Sequence, residues 1–236
     1  MIKFNTNLPA PNFFNNEDRN NYVGKFLIHD GISSCLNVGS GGKRHLYNYL
    51  AQNKTKKIKV FDIDMVGDCD LKINLDEIDR IPLEDGEFDT VISLDNLEHL
   101  ESFYLIFNEM FRIASKEVII SLPIGPAEIP STVILGRRYT NRPRSVTGAY
   151  SKFYGLPLEA PTDRHRWFIY YEDIIELMEH HILRNPSHHV EVIRPKVVGI
   201  RKLLKLLLPS RVFNNFFVPY LIVIIKKNSR IVNLEL

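Results

Sequence analysis

The run Asn37-Val38-Gly39-Ser40-Gly41-Gly42 ends a short apolar stretch just before Leu46, Tyr47 and Leu50 begin to recur at helical spacing. Glycine tolerates positive φ and has no Cβ, so a strand-to-helix turn built from it lets a ligand lie against backbone at a helix N-terminus. Such a turn suits a nucleotide-like ligand, and dinucleotide enzymes use a similar one. Asp64 ends the next apolar run, 25 residues beyond Gly39, where a carboxylate can accept from both hydroxyls of a ribose. Asp62 competes with it, because alternation along a strand puts both on one face; Asp64 is preferred as the residue that terminates the run. Downstream lie two further candidates. His99 follows the apolar run Phe88–Leu94, where an imidazole can act as a general base. The block Asp163-Arg164-His165-Arg166-Trp167-Phe168, preceded by Tyr154-Gly155-Leu156-Pro157, joins arginine to aromatic side chains, a mixture suited to sugar, phosphate or carboxylate.

These residues need a scaffold, and the patterning supplies one. Short apolar runs at Ser34–Val38, Ile58–Ile63, Phe88–Leu94 and Glu117–Leu122 predict strands, with a weaker extended segment at 70–75. Helical spacing falls between them, after the glycine turn and over Leu97–Ala114. Strands alternating with helices predict a parallel sheet covered on both faces, and ligands bind such sheets at the carboxyl ends of the strands. That edge holds the glycine turn, Asp64 and His99. The first thirty residues read as an irregular arm with a short helix at Tyr22–Ile28. Tyr170–His181 reads as a helix, His189–Ile193 as a strand, Gly199–Leu208 as a helix and Pro219–Lys227 as the last strand. Residues 124–169 break the periodicity with prolines, arginines and tyrosines; a stretch this long within a compact domain is expected to serve the substrate.

Composition narrows the class. The chain has 236 residues, 30 Lys+Arg against 28 Asp+Glu, and a net charge of +2. That balance shows no basic excess of the kind a non-specific nucleic-acid binder carries, and no nucleic-acid partner is expected. Two cysteines, Cys35 and Cys69, offer no disulfide framework and point to a reducing compartment. Met1–Phe13 lacks the layout of a signal peptide, and no apolar run approaches the roughly 20 residues of a membrane span, so a cytoplasmic location is expected. His180-His181 and His188-His189 lack a cysteine or carboxylate to complete a ligand set, so no metal is expected there. At about 100° per residue, Arg201, Lys202 and Lys205 share one face of the helix at 199–208. Such a helix either covers the sheet with its charges outward, the preferred reading, or lies on an anionic membrane surface.

One stretch is more specific than the glycines. Ile81-Pro82-Leu83-Glu84-Asp85-Gly86-Glu87-Phe88-Asp89-Thr90-Val91-Ile92 resembles the LPF-x-D-x-x-FD-x-V signature of small-molecule class I methyltransferases. Leu97-Glu98-His99-Leu100 resembles the LEH that follows in the same family, and Glu109–Arg112 and Ile119–Pro123 continue the likeness. The resemblance covers residues 30–123 and implies S-adenosylmethionine as cofactor. Gly39, Ser40 and Gly41 would cradle its methionyl and ribose part, Asp64 the ribose hydroxyls, and Met65 the adenine. Asn74 and Leu75 would sit at the adenine edge, and Leu94 and Asp95 near the sulfonium and amino group. Asn37 departs from the acid usual in the family and Lys43 from a third glycine, so Asp95 would carry more of the ammonium.

The resemblance further implies a doubly wound α/β sheet of seven strands, mostly parallel with an antiparallel last strand. It makes 124–169 a lid inserted after strand five, 1–30 an arm and 199–236 a closing helix and strand of one domain spanning 1–236. The expected reaction is methyl transfer to oxygen of a small-molecule, glycan or lipid-linked sugar acceptor. The block at 163–168 is similar to one in uncharacterised methyltransferases of polysaccharide-synthesis type. His99 or His165 would serve as base, with Asp163 orienting His165 and Tyr154, Arg164, Arg166 and Trp167 holding the acceptor. Arg137, Arg138, Arg142 and Arg144 would face an anionic acceptor. No Asn/Asp-Pro-Pro-Tyr tetrapeptide follows Phe88–Leu94, which argues against methylation of base amino groups. Two rivals remain: a non-catalytic cofactor-binding module, and a nicotinamide-dependent oxidoreductase sharing the turn and the acid.

Overall fold

Strand alternation accounts for the architecture. A computed structural model of the chain describes residues 2–5, 16–53, 58–128, 164–197 and 199–227. Its strands are β1 (Ile2–Asn5), β2 (Ser34–Val38), β3 (Lys59–Asp64), β4 (Leu71–Lys72), β5 (Phe88–Leu94), β6 (Ala114–Pro123), β7 (His188–Ile193) and β8 (Tyr220–Lys227). They form a single sheet in the order β1-β7-β8-β6-β5-β2-β3-β4. All pairings are parallel except those of β8, which runs antiparallel to both β6 and β7. The order in which strands are added reverses at β2, which lies between β3 and β5, so the glycine turn leaves the sheet at the switch point where open α/β sheets bind ligands.

The helices are α1 (Asn16–His29), α2 (His45–Gln52), α3 (Phe103–Ile113), α4 (Tyr171–Arg184), α5 (Arg201–Leu207) and α6 (Ser210–Phe217). In β6, Val118, Ile120 and Leu122 face the core under α3, α4 and α6, while Ile119 faces α1 and α2. In β8, Leu221, Val223 and Ile225 take the first face and Ile222 and Ile224 the second. A strand buried on both faces reads as a continuous apolar run, which is how β8 stands out in the sequence.

Four expectations change. The sheet has eight strands, not seven, because Ile2–Asn5 pairs with β7 as an edge strand instead of forming an irregular arm. The helix expected over 97–114 is a 3₁₀ turn at Leu97–His99 followed by α3, with Leu100 extended between them. A further helix, α6, fills the stretch between the helix at 199–208 and the last strand. The helix at 199–208 covers less than expected: Leu204 and Leu208 pack half-buried against the core, no residue of α5 is fully buried, and Leu206 is 83% and Leu207 68% exposed. Among the described residues no helix is long and apolar enough to cross a membrane.

Candidate cofactor and acceptor site

The glycine turn is fastened to its neighbour strand. Gly39 N–H donates to Ile63 C=O at 2.9 Å, and Gly39, Gly41 and Gly42 have φ of 77°, 68° and 61°. The three glycines are needed for different reasons. A Cβ on Gly39 would lie 2.0 Å from Cγ of Asn96, in the loop after β5. One on Gly42 would lie 2.5 Å from the Gly67 backbone. One on Gly41 would meet nothing within 4 Å, so that glycine faces open space. Ser40 accepts from Gly42 N–H at 3.3 Å, and Lys43 is exposed.

Asp64 and Asp62 part company in the structure. Asp64, at the end of β3, accepts from Gly41 N–H at 2.7 Å and Val66 N–H at 2.9 Å, which ties it to the glycine turn. Asp62 is wholly buried, accepts from the Asn37 amide at 2.8 Å and lies 3.7 Å from Arg44. Arg44 also pairs with Asp68 and Asp70, so these charges brace the turn against the loop after β3. Burial pushes the Asp62 carboxyl above its ordinary range, and the Asn37 hydrogen bond opposes that. This explains why position 37 departs from the family pattern. An acid there would set two carboxylates side by side in a dry site. Asn37→Asp is therefore expected to destabilise the fold by about 2 kcal/mol at pH 8. One carboxyl of the pair must keep a proton, so its folded pKa rises above the unfolded value and the penalty shrinks as pH falls toward 5. Urea melts of both proteins at the two pH values check this; an equal deficit at both would refute it.

The adenine-side residues divide as well. Met65 is exposed beside the turn. Asn74 accepts from Asp76 N–H at 3.1 Å, and Leu75 is buried, its carbonyl taking the Ser102 hydroxyl at 2.9 Å. Leu94 is buried at the end of β5. Asp95 adopts φ 49°, accepts from Ser121 Oγ at 2.5 Å and pairs with Arg19 of α1 at 2.8 Å. Arg19 was not among the expected site residues, since nothing in the spacing of α1 links it to position 95.

The Ile81–Asp89 stretch, IPLEDGEFD, that carries the family resemblance is scaffold. Arg112 of α3 donates to the carbonyls of Ile81 and Leu83 and to the carboxylates of Asp85 and Glu109, and Glu109 accepts from Ile81 N–H at 2.9 Å.

The segment after the insertion docks on the turn that follows β5. Arg166 N–H and Trp167 N–H donate to Glu98 C=O at 2.8 and 3.3 Å, and the Trp167 indole donates to Leu100 C=O at 2.7 Å. This docking brings His165 against His99, ring centroids 4.5 Å apart and edge to face. Glu98 is buried between them: Oε1 lies 3.8 Å from Nε2 of His99 and 3.9 Å from Nε2 of His165. The two ends of the insertion also meet, Gly125 N–H donating to Ile169 C=O at 2.9 Å. Arg164 is exposed, Arg166 pairs with Glu101 at 3.0 Å, and Trp167 packs edge-on to Phe103 and Tyr104. Tyr154, Asp163, Arg137, Arg138, Arg142 and Arg144 lie outside the described residues. His181 and His188, by contrast, touch each other at 2.9 Å under Phe111, and burial lowers the His181 pKa to about 4.

Fold and turn together define a class: a doubly wound α/β sheet with a glycine turn at the carboxyl edge of β2, β3 and β5, the edge where such sheets bind ligands. Residues 36–122 match the family model described as a methyltransferase domain. The fold is that of the methyltransferase domain of bacterial CtHen1, with a TM-score of 0.56, 11% identity, and coverage of 91% of this chain and 99% of that one. A second crystal structure, described as CtHen1-CN, gives a TM-score of 0.54 at 12% identity, covering 89% of this chain and 98% of that one. The small RNA methyltransferase HEN1 gives 0.52 at 14% identity, covering 90% of this chain and 25% of that one. No curated protein matches the chain. The matched stretch holds the glycine turn, Asp64 and the Glu98–His99 turn, and the fold around it is one that these methyltransferase structures share.

Proposed function

We propose that the protein methylates a hydroxyl oxygen of a small-molecule, glycan or lipid-linked sugar acceptor. The observation that carries this reading is the meeting of His99 and His165 at Glu98, on the same sheet edge as the glycine turn. Asn96 lies against Gly39 three residues before His99, so the acceptor groups adjoin the cofactor turn.

The residues fit the cofactor. Gly41 faces open space at a left-handed turn, and the Asp64 carboxylate beside it retains acceptor capacity for ribose hydroxyls beyond its two backbone bonds. The Arg19–Asp95 pair complements an amino-acid zwitterion, guanidinium to carboxylate and carboxylate to ammonium. Met65 and Leu75 would flank the adenine, with Asn74 at its edge. Asn37 would act indirectly, by holding Asp62 and the end of β2. When bound, S-adenosylmethionine supplies an electrophilic methyl on a sulfonium, so the chain mainly has to align the acceptor and take up its proton. His99 and His165 are placed for that proton, and the Glu98 carboxylate favours the imidazolium that results. Arg164, Arg166 and the lid residues Tyr154 and Asp163 would recognise the acceptor, and Trp167 would anchor the lid.

The exposed leucines of α5, set among Arg201, Lys202 and Lys205, favour a lipid-linked form of the acceptor. The test is release of S-adenosylhomocysteine with sugars, lipid-linked sugars in anionic vesicles, and short RNA as acceptors. Transfer to a sugar hydroxyl that His165→Ala lowers at least about 100-fold is the expected result. Transfer to RNA alone, or cofactor binding without transfer to any acceptor, would overturn it.

A further inference from the structure

We propose that Glu98, His99 and His165 form a binding site for a divalent transition-metal cation at the acceptor side of the pocket. Each residue offers one ligand atom, and the three atoms lie within 4.8 Å of one another. Both Nε2 atoms converge on the same carboxylate oxygen, at 3.8 and 3.9 Å. A cation about 2.1 Å from each donor in a tetrahedral set would bring them to roughly 3.4 Å apart. Small side-chain rotations close that gap.

The setting is built rather than incidental. Glu98 and His165 are both buried, and they come from segments separated by the whole insertion. Backbone hydrogen bonds from Arg166 and Trp167 to the Glu98 carbonyl, and the Trp167 indole bond to Leu100, fix the two segments against each other on either side of the cluster. The other histidine pair shows the contrast. His181 and His188 bond directly to each other, with no carboxylate in the cluster, and leave no space between them for an ion. Adjacent histidines stand out in the sequence, whereas the Glu98, His99 and His165 set is assembled only by folding.

Two imidazoles and one carboxylate select Mn²⁺, Fe²⁺, Co²⁺ or Zn²⁺ over Mg²⁺ and Ca²⁺, which prefer all-oxygen sets. Three protein ligands leave positions open for other oxygens. A cation held there would lower the pKa of a neighbouring acceptor hydroxyl, whose proton would pass to bulk water. With a cation bound the imidazoles would be its ligands; they serve as bases only in the cation-free protein, so the acceptor's proton has a separate destination in each state. A cation with two open positions also favours an acceptor presenting two neighbouring hydroxyls. Metal binding itself stands independently; its use in catalysis rests on the hydroxyl-acceptor reading above.

The test is direct. Metal-stripped protein is titrated with Mn²⁺, Co²⁺ and Zn²⁺ by calorimetry, with the Co²⁺ visible spectrum as the signature of nitrogen and oxygen ligation. Stoichiometric binding in the micromolar range or tighter is expected, weakened at least about 100-fold in His165→Ala and in Glu98→Gln. Binding of S-adenosylhomocysteine and the melting curve serve as controls for folding. Should Glu98→Gln fail to fold, His99→Ala, at a partly exposed position, gives the second reading. Absence of binding by the wild type, or wild-type affinity in the folded variants, would overturn the proposal. Cofactor binding without cation binding sinks this inference and spares the cofactor reading. Cation binding without transfer to any hydroxyl acceptor leaves the site standing and sinks the acceptor.

Discussion

Gly39→Ala is expected to weaken binding of S-adenosylhomocysteine about 100-fold while leaving the fold intact. The residue sits at φ 77°, where a side chain costs roughly 1–2 kcal/mol. Its new Cβ would fall 2.0 Å from Cγ of Asn96, so the loop after β5 must also move. The free protein relieves both strains by shifting the turn, and the cofactor must then restore the original geometry on binding. A combined cost of about 3 kcal/mol corresponds to that loss of affinity. Gly41→Ala provides the comparison. Its Cβ meets no protein atom, so it adds no clash to the free protein and affects binding mainly by entering the space where the cofactor lies. Calorimetric titration of both variants, with melting curves alongside, checks the pair. Wild-type affinity in both would mean that the cofactor does not approach this turn.

Arg112→Met is expected to destabilise the protein by about 3 kcal/mol, because it strands a buried carboxylate. Arg112 bonds both oxygens of Glu109, and Glu109 in turn holds Ile81 N–H. Arg112 is also what holds the Glu109 carboxyl below its usual range. A depressed folded pKa contributes stability above the unfolded carboxylate value and loses it as pH falls through the folded one. The deficit of the variant should therefore be full at pH 7 and shrink below about pH 4. For a chain of this length the change corresponds to a drop of roughly 6–12 °C in melting temperature at neutral pH. Equal melting temperatures at pH 7 would show that the loop at 81–87 does not depend on this contact. The variant touches no residue of the glycine turn or the Glu98 cluster, so activity remaining at low temperature would separate scaffold from site.

The two variants show why the family resemblance lies away from the site. Residues 81–92 carry it although they form no part of the glycine turn or the Glu98 cluster. Their pattern is dictated by Arg112 and Glu109, which pin this loop in front of β5. The glycine turn was less telling because the backbone requirement it meets is shared by other nucleotide folds. Asn37 looked like a weakened cofactor contact; its type is set by Asp62, which faces it from the neighbouring strand.

Local pattern determined a good deal by itself. The order of strands and helices and the glycine turn followed from short-range periodicity and φ preference, both of which neighbouring residues control, whereas the antiparallel last strand came from the family resemblance. The added edge strand did not: Ile2–Asn5 becomes a strand only because β7 offers it a free edge. The break at Leu100 was hidden too, since apolar spacing runs through it unchanged. The choice between Asp62 and Asp64, the arrival of Arg19 at Asp95, and the meeting of Glu98, His99 and His165 all depend on contacts between distant segments. Sequence spacing carries no record of which segment will dock on which. Only the docking of residues 164–170 on the turn after β5 decided that two histidines 66 positions apart would share one buried carboxylate.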